Sequence, residues 1–326
     1  MNLAKYRGKN VVVTGASGYI ASKVISLLIE NGAHVFGVTR NTAYTKDFGK
    51  NYKKIICDYE DIKIWQKLIE QSEIVIHLAG NTSLNYAKNN PSESLKSTLL
   101  PIQNITLNAS NSNNRIKLIY ASTATVYGAV HSLPVDEKYE VRPSTIYDLH
   151  KYCGEIQLQY ANRLGLIKGV SLRLSNVYGD SLSESFASDR GILNKISSLA
   201  LQGLPVNIYG SGQYLRDYVH VSDVAMAFCI AGLHDFLDEF IFNIGSGEGA
   251  TIYEAFSKII ESAHKITNKK SKLYNVDWPI ETDRIELRNY VANINLFKSK
   301  TSWYPKIKFE DGIDSMVRNL HKKIIK

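Results

Sequence analysis

The chain has 326 residues, of which 44% are hydrophobic, and this composition excludes a disordered protein. The formal net charge is +8, but lysine and arginine are scattered, which argues against a nucleic-acid-binding surface. No apolar run approaches the roughly 20 residues that span a membrane. Cys57, Cys153 and Cys229 include no close pair, so neither a disulfide framework nor a zinc site is predicted. We therefore expect a cytoplasmic protein that binds no metal, membrane or nucleic acid.

Short β-branched runs alternate with amphipathic helical segments through the first half of the chain. The helical segment 21–31 places Val24, Leu27 and Leu28 on one stripe. Several of the runs are apolar almost throughout, as strands buried on both faces are. The alternation predicts an α/β fold with a Rossmann-type doubly wound parallel sheet. The predicted strands are 10–14, 33–39, 53–57, 73–79, 117–122 and 169–174.

The texture of the sequence changes after Asn176. Loops lengthen, the segment 203–212 is rich in turn residues, and helical patterns occupy 253–263 and 311–322. We therefore predict a smaller C-terminal substrate lobe beside the sheet. The predicted boundaries are 1–175 plus about 213–243 for the dinucleotide-binding domain, and 176–212 with 244–326 for the lobe.

A glycine-rich turn follows the first strand and opens a helix. Gly15, Gly18 and Ala21 form the pattern G-x-x-G-x-x-A. The first glycine permits a tight turn, the second lets the backbone approach a pyrophosphate, and the third position needs a small side chain for close packing. The helix N-terminus, with Tyr19 and Ile20, offers N–H groups to phosphates. These five positions predict a dinucleotide site.

Three further segments follow the glycine turn, and their order along the chain can be compared with that of known enzymes. Asp58-Tyr59 follows the third strand, "HLAG" (77–80) ends the fourth, and Tyr147 and Lys151 form a Y-x-x-x-K pair after "YASTATVYG". With the glycine turn, this order resembles short-chain dehydrogenases. Later stretches narrow the resemblance to the extended branch, the nucleotide-sugar epimerase/dehydratase family. These stretches are "RLSNVYGD" (173–180), "IYGSGQYLRDYVHVSDVA" (208–225), "FNIGSGE" (242–248) and "WYP" (303–305).

The resemblance implies roles for residues at the expected cofactor site. Tyr147 would exchange a proton with a sugar oxygen, and Thr123 would hydrogen-bond the same oxygen. Lys151 would lower the pKa of Tyr147 and hold the nicotinamide ribose. Asp58 would contact the adenine. The remaining cofactor-binding residues implied by the family pattern are Tyr59, Leu78, Ala79 and Gly80.

The residues after Thr123 reduce the number of reaction types that the resemblance allows. Family 4,6-dehydratases and decarboxylases carry an acidic residue in this stretch, and 3,5-epimerase/reductases carry a cysteine. Here the positions are Ala124 and Thr125. The resemblance therefore implies oxidoreduction at a single carbinol, C4 of a nucleoside-diphosphate sugar.

Three residues are candidates for binding this substrate. The resemblance assigns Asn176 and Arg216 to the diphosphate, and an arginine suits this role through its fixed fork of donors. Arg284 is a candidate second phosphate arginine, although the alignment there is loose. We also expect a homodimer, because the family usually pairs through two helices near the Tyr147 segment.

The second strand ends on Thr39 and Arg40, where NAD-preferring relatives have an aspartate that binds the adenosine ribose. An arginine at this point can pair with the 2′-phosphate of NADP. NADP(H) is therefore favoured over NAD(H), which in turn favours a 4-keto-6-deoxy-sugar nucleotide reductase. A C4 epimerase that retains NAD is the alternative, and a non-catalytic nucleotide-binding protein on the same fold is a third hypothesis.

Overall fold

A computed structural model describes residues 2–40, 46–80, 82–110, 115–180, 191–236, 238–279 and 282–325, without the side chains of Ser110 and Arg284. No helix within these ranges is long and apolar enough to cross a bilayer. The elements up to residue 178 are β1 (Asn10–Thr14), α1 (Tyr19–Glu30), β2 (His34–Thr39), β3 (Tyr52–Ile56), α2 (Ile62–Glu70), β4 (Ile74–His77), α3 (Leu84–Asn89), α4 (Pro91–Ser110), β5 (Lys117–Thr123), α5 (Ile146–Arg163), β6 (Lys168–Leu174) and β7 (Asn176–Tyr178). The later elements are α6 (Ile192–Gln202), β8 (Val206–Tyr209), β9 (Leu215–His220), α7 (Val221–Leu233), β10 (Ile241–Ile244), β11 (Gly249–Thr251), α8 (Ile252–Thr267), β12 (Leu273–Val276), α9 (Asn295–Thr301) and α10 (Phe309–Ile325).

The main sheet has seven parallel strands in the order β10-β6-β5-β4-β1-β2-β3. The strand order runs outward from β1 in one direction through β2 and β3, and in the other through β4, β5 and β6. The predicted doubly wound sheet is thus confirmed, with β10 as an additional strand that was not predicted. The point where the order reverses lies between β1 and β4, where Thr14 pairs with His77. Open α/β sheets bind ligands at the carboxyl ends of strands at such a point.

Both faces of the central strands of this sheet are covered, which explains their almost wholly apolar sequences, whereas the edge strand β3 is largely exposed. On β1, Val11 and Val13 belong to the core on one face, which includes residues of α1 and α7. Val12 belongs to the core on the other face, with residues of α2, α4 and α5. Alternate side chains of a strand point to opposite faces, so a strand covered on both sides must be apolar at consecutive positions.

The smaller lobe is built from two short sheets and three helices. Strand β9 lies between β7 and β11, and β8 pairs with β12. Helices α6, α8 and α10 enclose a separate core that includes Phe256 and Met316. Helix α9 instead contributes Phe297 to the core of the main sheet, together with Trp303. The domain boundaries inferred from the sequence stay a prediction. The segment that contains Phe297 and Trp303 was assigned to the lobe, but it packs against the main sheet.

Candidate active site

The glycine turn after β1 is shaped by close contact with the end of β4. Gly15 has a φ of +67°, and a Cβ added there would lie 2.9 Å from the Cα of Ala79. A side chain at this position would therefore collide with backbone as well as strain the turn. Gly18 precedes α1 in an extended conformation, and its N–H donates to the Gly15 carbonyl at 2.7 Å. Ala21 is buried in the core against the sheet, as the small third residue of the pattern predicts.

The start of α1 suits an anionic group. No side chain caps its N-terminus, and its first turn has no acidic residue. A helix N-terminus carries a partial positive charge and free N–H groups, so a pyrophosphate would be favoured there. The turn that a Cβ would fill and the uncapped helix together fit a dinucleotide held through Gly15, Gly18, Tyr19 and Ile20.

The end of β4 is held in place by the hydroxyl of Thr14. The backbone N–H groups of Leu78 and Ala79 donate to Thr14 Oγ1 at 3.1 and 3.0 Å, and His77 Nδ1 lies 2.7 Å from the same atom. Burial, and to a smaller extent the charge of Lys151, lower the pKa of His77 to about 3, so this imidazole is neutral. The HLAG stretch is therefore a rigid wall of the site.

Lys151 extends from α5 across the end of β5. Its Nζ donates to the carbonyl of Ala121 at 2.8 Å and lies 5.0 Å from the ring centre of Tyr120. A Cβ added at Gly80 would lie 3.3 Å from this Nζ, so Gly80 leaves room for the ammonium group. Burial lowers the pKa of Lys151 to about 8, whereas the nearby Glu155 acts in the opposite direction. Lys151 thus joins β4, β5 and α5 at the site.

Tyr147 is on the same helix and forms a hydrogen bond with Thr123. Burial raises the pKa of Tyr147 above its usual range, the charge of Asp148 raises it further, and the hydrogen bond with Thr123 lowers it. The sequence argument expected the ammonium group of Lys151 to lower this pKa. Removal of the Tyr147 hydroxyl from water has the largest effect on its pKa. The Lys151 ammonium group donates to the Ala121 carbonyl instead.

A chain of hydroxyl groups leads from Thr123 to a buried carboxylate. Thr123 Oγ1 lies 2.9 Å from Thr125 Oγ1, and Thr125 Oγ1 donates to Asp148. Thr145, the N-cap residue of α5, donates from Oγ1 to the other carboxylate oxygen at 2.7 Å. Burial raises the pKa of Asp148, while these two hydrogen bonds and the charge of Arg288 lower it.

A second buried cluster supports β5 and α5 from behind. Arg173 on β6 makes two hydrogen bonds to Glu155 on α5, at 2.9 and 2.6 Å, and both side chains are almost completely buried. Ser122 also donates to Glu155. Paired hydrogen bonds to one carboxylate restrict the relative position of the two elements. The cluster therefore anchors the strand that carries Thr123 against the helix that carries Tyr147.

The residues predicted at the adenosine end also come together, with an unexpected partner. Arg40 Nη1 lies 2.9 Å from Tyr59 Oη, and the guanidinium carbon is 4.8 Å from the centre of the Tyr59 ring. Glu93, in the first turn of α4, accepts a hydrogen bond from Tyr59 and pairs with Arg40 at 3.2 Å. The backbone of Tyr59 donates to Asp58 Oδ1 at 2.7 Å. The charge of Arg40 is therefore already matched by a carboxylate.

Arg216 is buried and is directed at the backbone of the lobe. Its guanidinium donates to the carbonyl oxygens of Leu215, Arg288 and Glu286, and lies 4.0 Å from the Glu286 carboxylate. Its neighbour Asp217 accepts from the backbone of Ser246, Gly247 and Ala292, so these two residues do not form an ion pair with each other. A phosphate role for Arg216 stays a prediction.

The structure shows less about Asn176 and Arg284, the other two candidates for binding the substrate. Asn176 is partly buried at the start of β7 and pairs in register with Tyr218 of β9. The side chain of Arg284 lies outside the described part of the chain. Arg288 instead has a buried Nε without a hydrogen-bond partner among the described residues, and it is electrostatically coupled to both Arg216 and Asp148.

Comparison with known proteins agrees with this geometry. Residues 11–245 match the model of the NAD dependent epimerase/dehydratase family. The chain belongs to this family. It is 30% identical over 311 residues to a putative UDP-glucose 4-epimerase of Methanocaldococcus jannaschii, covering 94% of this chain and 97% of that one. It is 28% identical over 334 residues to a dTDP-4-dehydro-6-deoxyglucose reductase of Escherichia coli, covering 97% and 99%.

Among solved structures, the fold is similar to a Thermotoga maritima UDP-glucose 4-epimerase with UDP-glucose. The TM-score is 0.86 at 28% identity, covering 97% of this chain and 99% of that one. Membership of the family makes the chain an NAD(P)-dependent nucleotide-sugar enzyme of the extended short-chain dehydrogenase type. The resemblance read from the motifs is thereby confirmed.

The sequence argument missed several residues that the fold brings to this site. Asp148 is adjacent to Tyr147, so the Y-x-x-x-K motif contained it, but nothing in the motif predicts its contact with Thr125. Glu93 and Arg288 are far from Arg40 and Asp148 in sequence, and no local pattern connects them.

Proposed function

We propose that this chain catalyses oxidoreduction at C4 of a nucleoside-diphosphate sugar. The observation that carries the proposal is the set of groups around Thr123 and Tyr147. Ala124 is buried and apolar, and Thr125 donates its proton to Asp148. Asp148 is completely buried, with each carboxylate oxygen already accepting from a threonine. None of these three groups is available as the acid or base that elimination at C5 and C6 requires.

The roles of the chain's own residues follow from their positions. Thr123 and Tyr147 would hold the C4 oxygen, and Tyr147 would accept its proton in oxidation or return it in reduction. Lys151 would position the nicotinamide ribose from its place beside Gly80. When bound, the nicotinamide supplies or accepts the hydride at C4. The neutral His77 and the Thr14 hydroxyl keep the wall formed by β4 in place.

A C4 epimerase with NAD is the form of this activity that we favour. Arg40 would favour NADP only if its charge were free to pair with the 2′-phosphate. In this structure the charge is paired with Glu93. The Glu93 carboxylate adds an acceptor and a negative charge near Tyr59, which favours ribose hydroxyls over a phosphate. Relatives named as UDP-glucose 4-epimerases, at 30% and 28% identity, support the same choice.

A 4-keto-6-deoxy-sugar nucleotide reductase using NADP(H) is the second candidate. One sequence feature favours it: β2 ends on Thr39 and Arg40 instead of a carboxylate. The relative named as a dTDP-4-dehydro-6-deoxyglucose reductase, at 28% identity over nearly the whole chain, also supports it. A reductase needs a cofactor that exchanges after each turnover, whereas an epimerase keeps its NAD.

The two candidates differ in what the purified protein carries. We would denature the protein, identify the released nucleotide, and assay interconversion of UDP-glucose and UDP-galactose without added reductant. Stoichiometric NAD with interconversion supports the epimerase. An empty site, with NADPH consumed on a 4-keto sugar nucleotide, supports the reductase. Neither activity across UDP- and dTDP-sugars, with the Tyr147→Phe variant as the blank, would contradict C4 chemistry.

We also propose that the chain forms a homodimer through α4 and α5. These adjacent helices expose several large apolar side chains, as expected for a covered surface. The residues are Leu95, Leu107, Leu149, Ile156 and Tyr160. Analytical ultracentrifugation of the wild type and of Leu107→Lys would test this, and a monomeric wild type would contradict it.

A further inference from the structure

The hydroxyl chain beside Tyr147 ends on a carboxyl group that the proposed reaction does not use directly. Asp148 has 0% exposure, accepts from Thr125 on Oδ1, and accepts from Thr145 on Oδ2 at 2.7 Å. Thr123 Oγ1 lies 2.9 Å from Thr125 Oγ1 and also accepts the Thr125 backbone N–H at 3.3 Å. A buried carboxyl is thus connected to the substrate-facing hydroxyl through one intermediate group.

The number of protons shared by Thr123, Thr125 and Asp148 determines whether Thr123 can donate a hydrogen bond to the substrate. A threonine hydroxyl donates one hydrogen bond and accepts up to two. An ionised Asp148 only accepts, so Thr125 gives its single proton to the carboxylate. Thr125 must then accept from Thr123, and the proton of Thr123 is used as well. One lone pair of Thr123 is left for Tyr147, with which Thr123 forms a hydrogen bond, or for the substrate, because the other accepts the Thr125 N–H.

A neutral Asp148 permits the opposite order. Its O–H donates to Thr125, Thr125 donates to Thr123, and Thr123 donates to the group in front of it. The C4 oxygen gains negative charge in the transition state of oxidation and of reduction alike. Hydrogen-bond donors directed at such an oxygen lower the barrier, and an acceptor in the same place does not.

We propose that Asp148 is a positioning residue for the C4 reaction: acting through Thr125, its neutral form makes Thr123 a donor to the C4 oxygen, and its ionised form makes Thr123 an acceptor. The inference rests on the proposed C4 oxidoreduction. Within the described part of the chain, the titratable groups that face Asp148 are Tyr147 on the same helix and Arg288 from the lobe. Burial favours the neutral form, and Arg288 with the two threonine hydrogen bonds favours the ionised form.

A purely structural role for Asp148 is the competing explanation. Its backbone N–H donates to Thr145 Oγ1 at 3.2 Å while Thr145 donates back, so the pair also caps α5. Loss of a cap would lower stability and turnover at every pH. The positioning role instead changes the pH dependence of turnover, and it requires Thr125.

The Asp148→Asn variant separates the two explanations. Its amide nitrogen can donate to Thr125 while its oxygen accepts from Thr145, which reproduces the order of the neutral acid. We expect wild-type kcat to fall as pH rises through the Asp148 pKa, and the variant to lack this step. At alkaline pH the variant should therefore exceed the wild type by about 2- to 10-fold, the range of one net hydrogen bond. A variant slower than wild type by a constant factor from pH 5 to 9 overturns the proposal.

Thr125 provides the matched pair of variants. Thr125→Val removes the hydroxyl and leaves the Thr145–Asp148 cap in place, so kcat should fall about 3- to 10-fold and the Asp148 step should disappear from the pH profile. Thr125→Ser keeps the hydroxyl and should restore that step. The Thr125→Val/Asp148→Asn double variant should behave like Thr125→Val alone. A wild-type pH profile in Thr125→Val overturns the proposal.

A readout without turnover separates this inference from the proposed function. The protonated Asp148 carboxyl is followed by infrared difference spectroscopy, wild type minus Asp148→Asn, across the same pH range. Thr125→Val removes a donor to the ionised carboxylate, so the band should persist to higher pH than in wild type. If no sugar nucleotide turns over but this shift appears, the proposed function fails and the coupling holds. If turnover is found without the shift, the coupling fails.

Discussion

The two ends of the proposed cofactor site contain similar chemical groups in very different surroundings. At the nicotinamide end, Thr123, Lys151 and Asp148 are 7%, 5% and 0% exposed. At the adenosine end, the side chains of Arg40 and Glu93 are 55% and 40% exposed. Burial is the largest influence on the pKa of Lys151, whereas hydrogen bonding to Tyr59 is the largest on that of Glu93.

This difference has a general physical cause. Charges removed from water interact strongly and lose much hydration energy, whereas exposed charges are screened by water and salt. We therefore expect single substitutions at the nicotinamide end to have large effects. The effects of substitutions at the adenosine end should be small and sensitive to ionic strength.

The largest effect is expected for Tyr147→Phe. The phenylalanine cannot transfer a proton to the C4 oxygen, so kcat should fall by roughly 10²- to 10⁴-fold while cofactor binding persists. Thr123→Ala removes one hydrogen bond to the same oxygen and should have a smaller effect. Steady-state kinetics and cofactor titration measure both quantities. Near-normal turnover of Tyr147→Phe would remove this residue from the mechanism.

Arg216→Ala extends the comparison to the substrate lobe. If Arg216 contacts the diphosphate, the variant should lose about 1.5–3 kcal/mol of sugar-nucleotide binding and retain dinucleotide binding. Calorimetric titration with both ligands tests this. Its guanidinium also donates to three backbone carbonyls, so the Tm must be measured in parallel. Equal loss for both ligands together with a lowered Tm would assign Arg216 a structural role.

Lys151→Met should make the protein more stable at pH 7 although it impairs activity. Burial lowers the Lys151 pKa to about 8, so the folded state binds its proton more weakly than the unfolded chain does. This residue therefore destabilises the fold below pH 8, and the penalty disappears as pH rises toward about 10.4. We expect a gain of about 1–2 kcal/mol at pH 7, since loss of the hydrogen bond to Ala121 offsets part of it. Urea unfolding at pH 7 and pH 10 measures the difference, and a gain that does not shrink with pH would contradict this account.

The smallest effects are expected at the adenosine end. Glu93→Gln should free Arg40 for a 2′-phosphate and shift the NADPH/NADH affinity ratio by up to about 1 kcal/mol. The shift should shrink as salt rises. Glu60→Gln is a matched control, because Glu60 forms an exposed ion pair with Lys96 instead.

The converse change at β2 tests the same assignment. Replacing Thr39 with Asp and Arg40 with Asn adds a ribose acceptor and removes the cation, so binding should move further toward NADH. A wild type that already prefers NADPH, with no response to Glu93→Gln, would favour the reductase over the epimerase.

The sequence by itself determined the fold class, and it predicts the phosphate turn and the Tyr147–Lys151 pair, because each of these patterns depends on local geometry. The positive φ of Gly15 belongs to the turn itself, although the contacts of Gly15 with Ala79 and of Ala21 with the sheet are tertiary. The four-residue spacing of Tyr147 and Lys151 is a property of one helix. Strands buried on both faces are recognisable from their continuous apolar runs, and the six predicted strands match those of the main sheet to within a few residues.

Only the tertiary structure decided which charges meet. Arg40 pairs with Glu93 across 53 positions, and Thr125 contacts Asp148 across 23, because separate elements converge at the ends of parallel strands. The raised pKa of Tyr147 likewise arises from burial, which no local pattern states. Strand β10, Ile241–Ile244, was not predicted, and its pairing with β6 assigns it to the sheet. Contacts between distant segments depend on how the whole chain packs, and for this reason the sequence did not predict the electrostatics of the site.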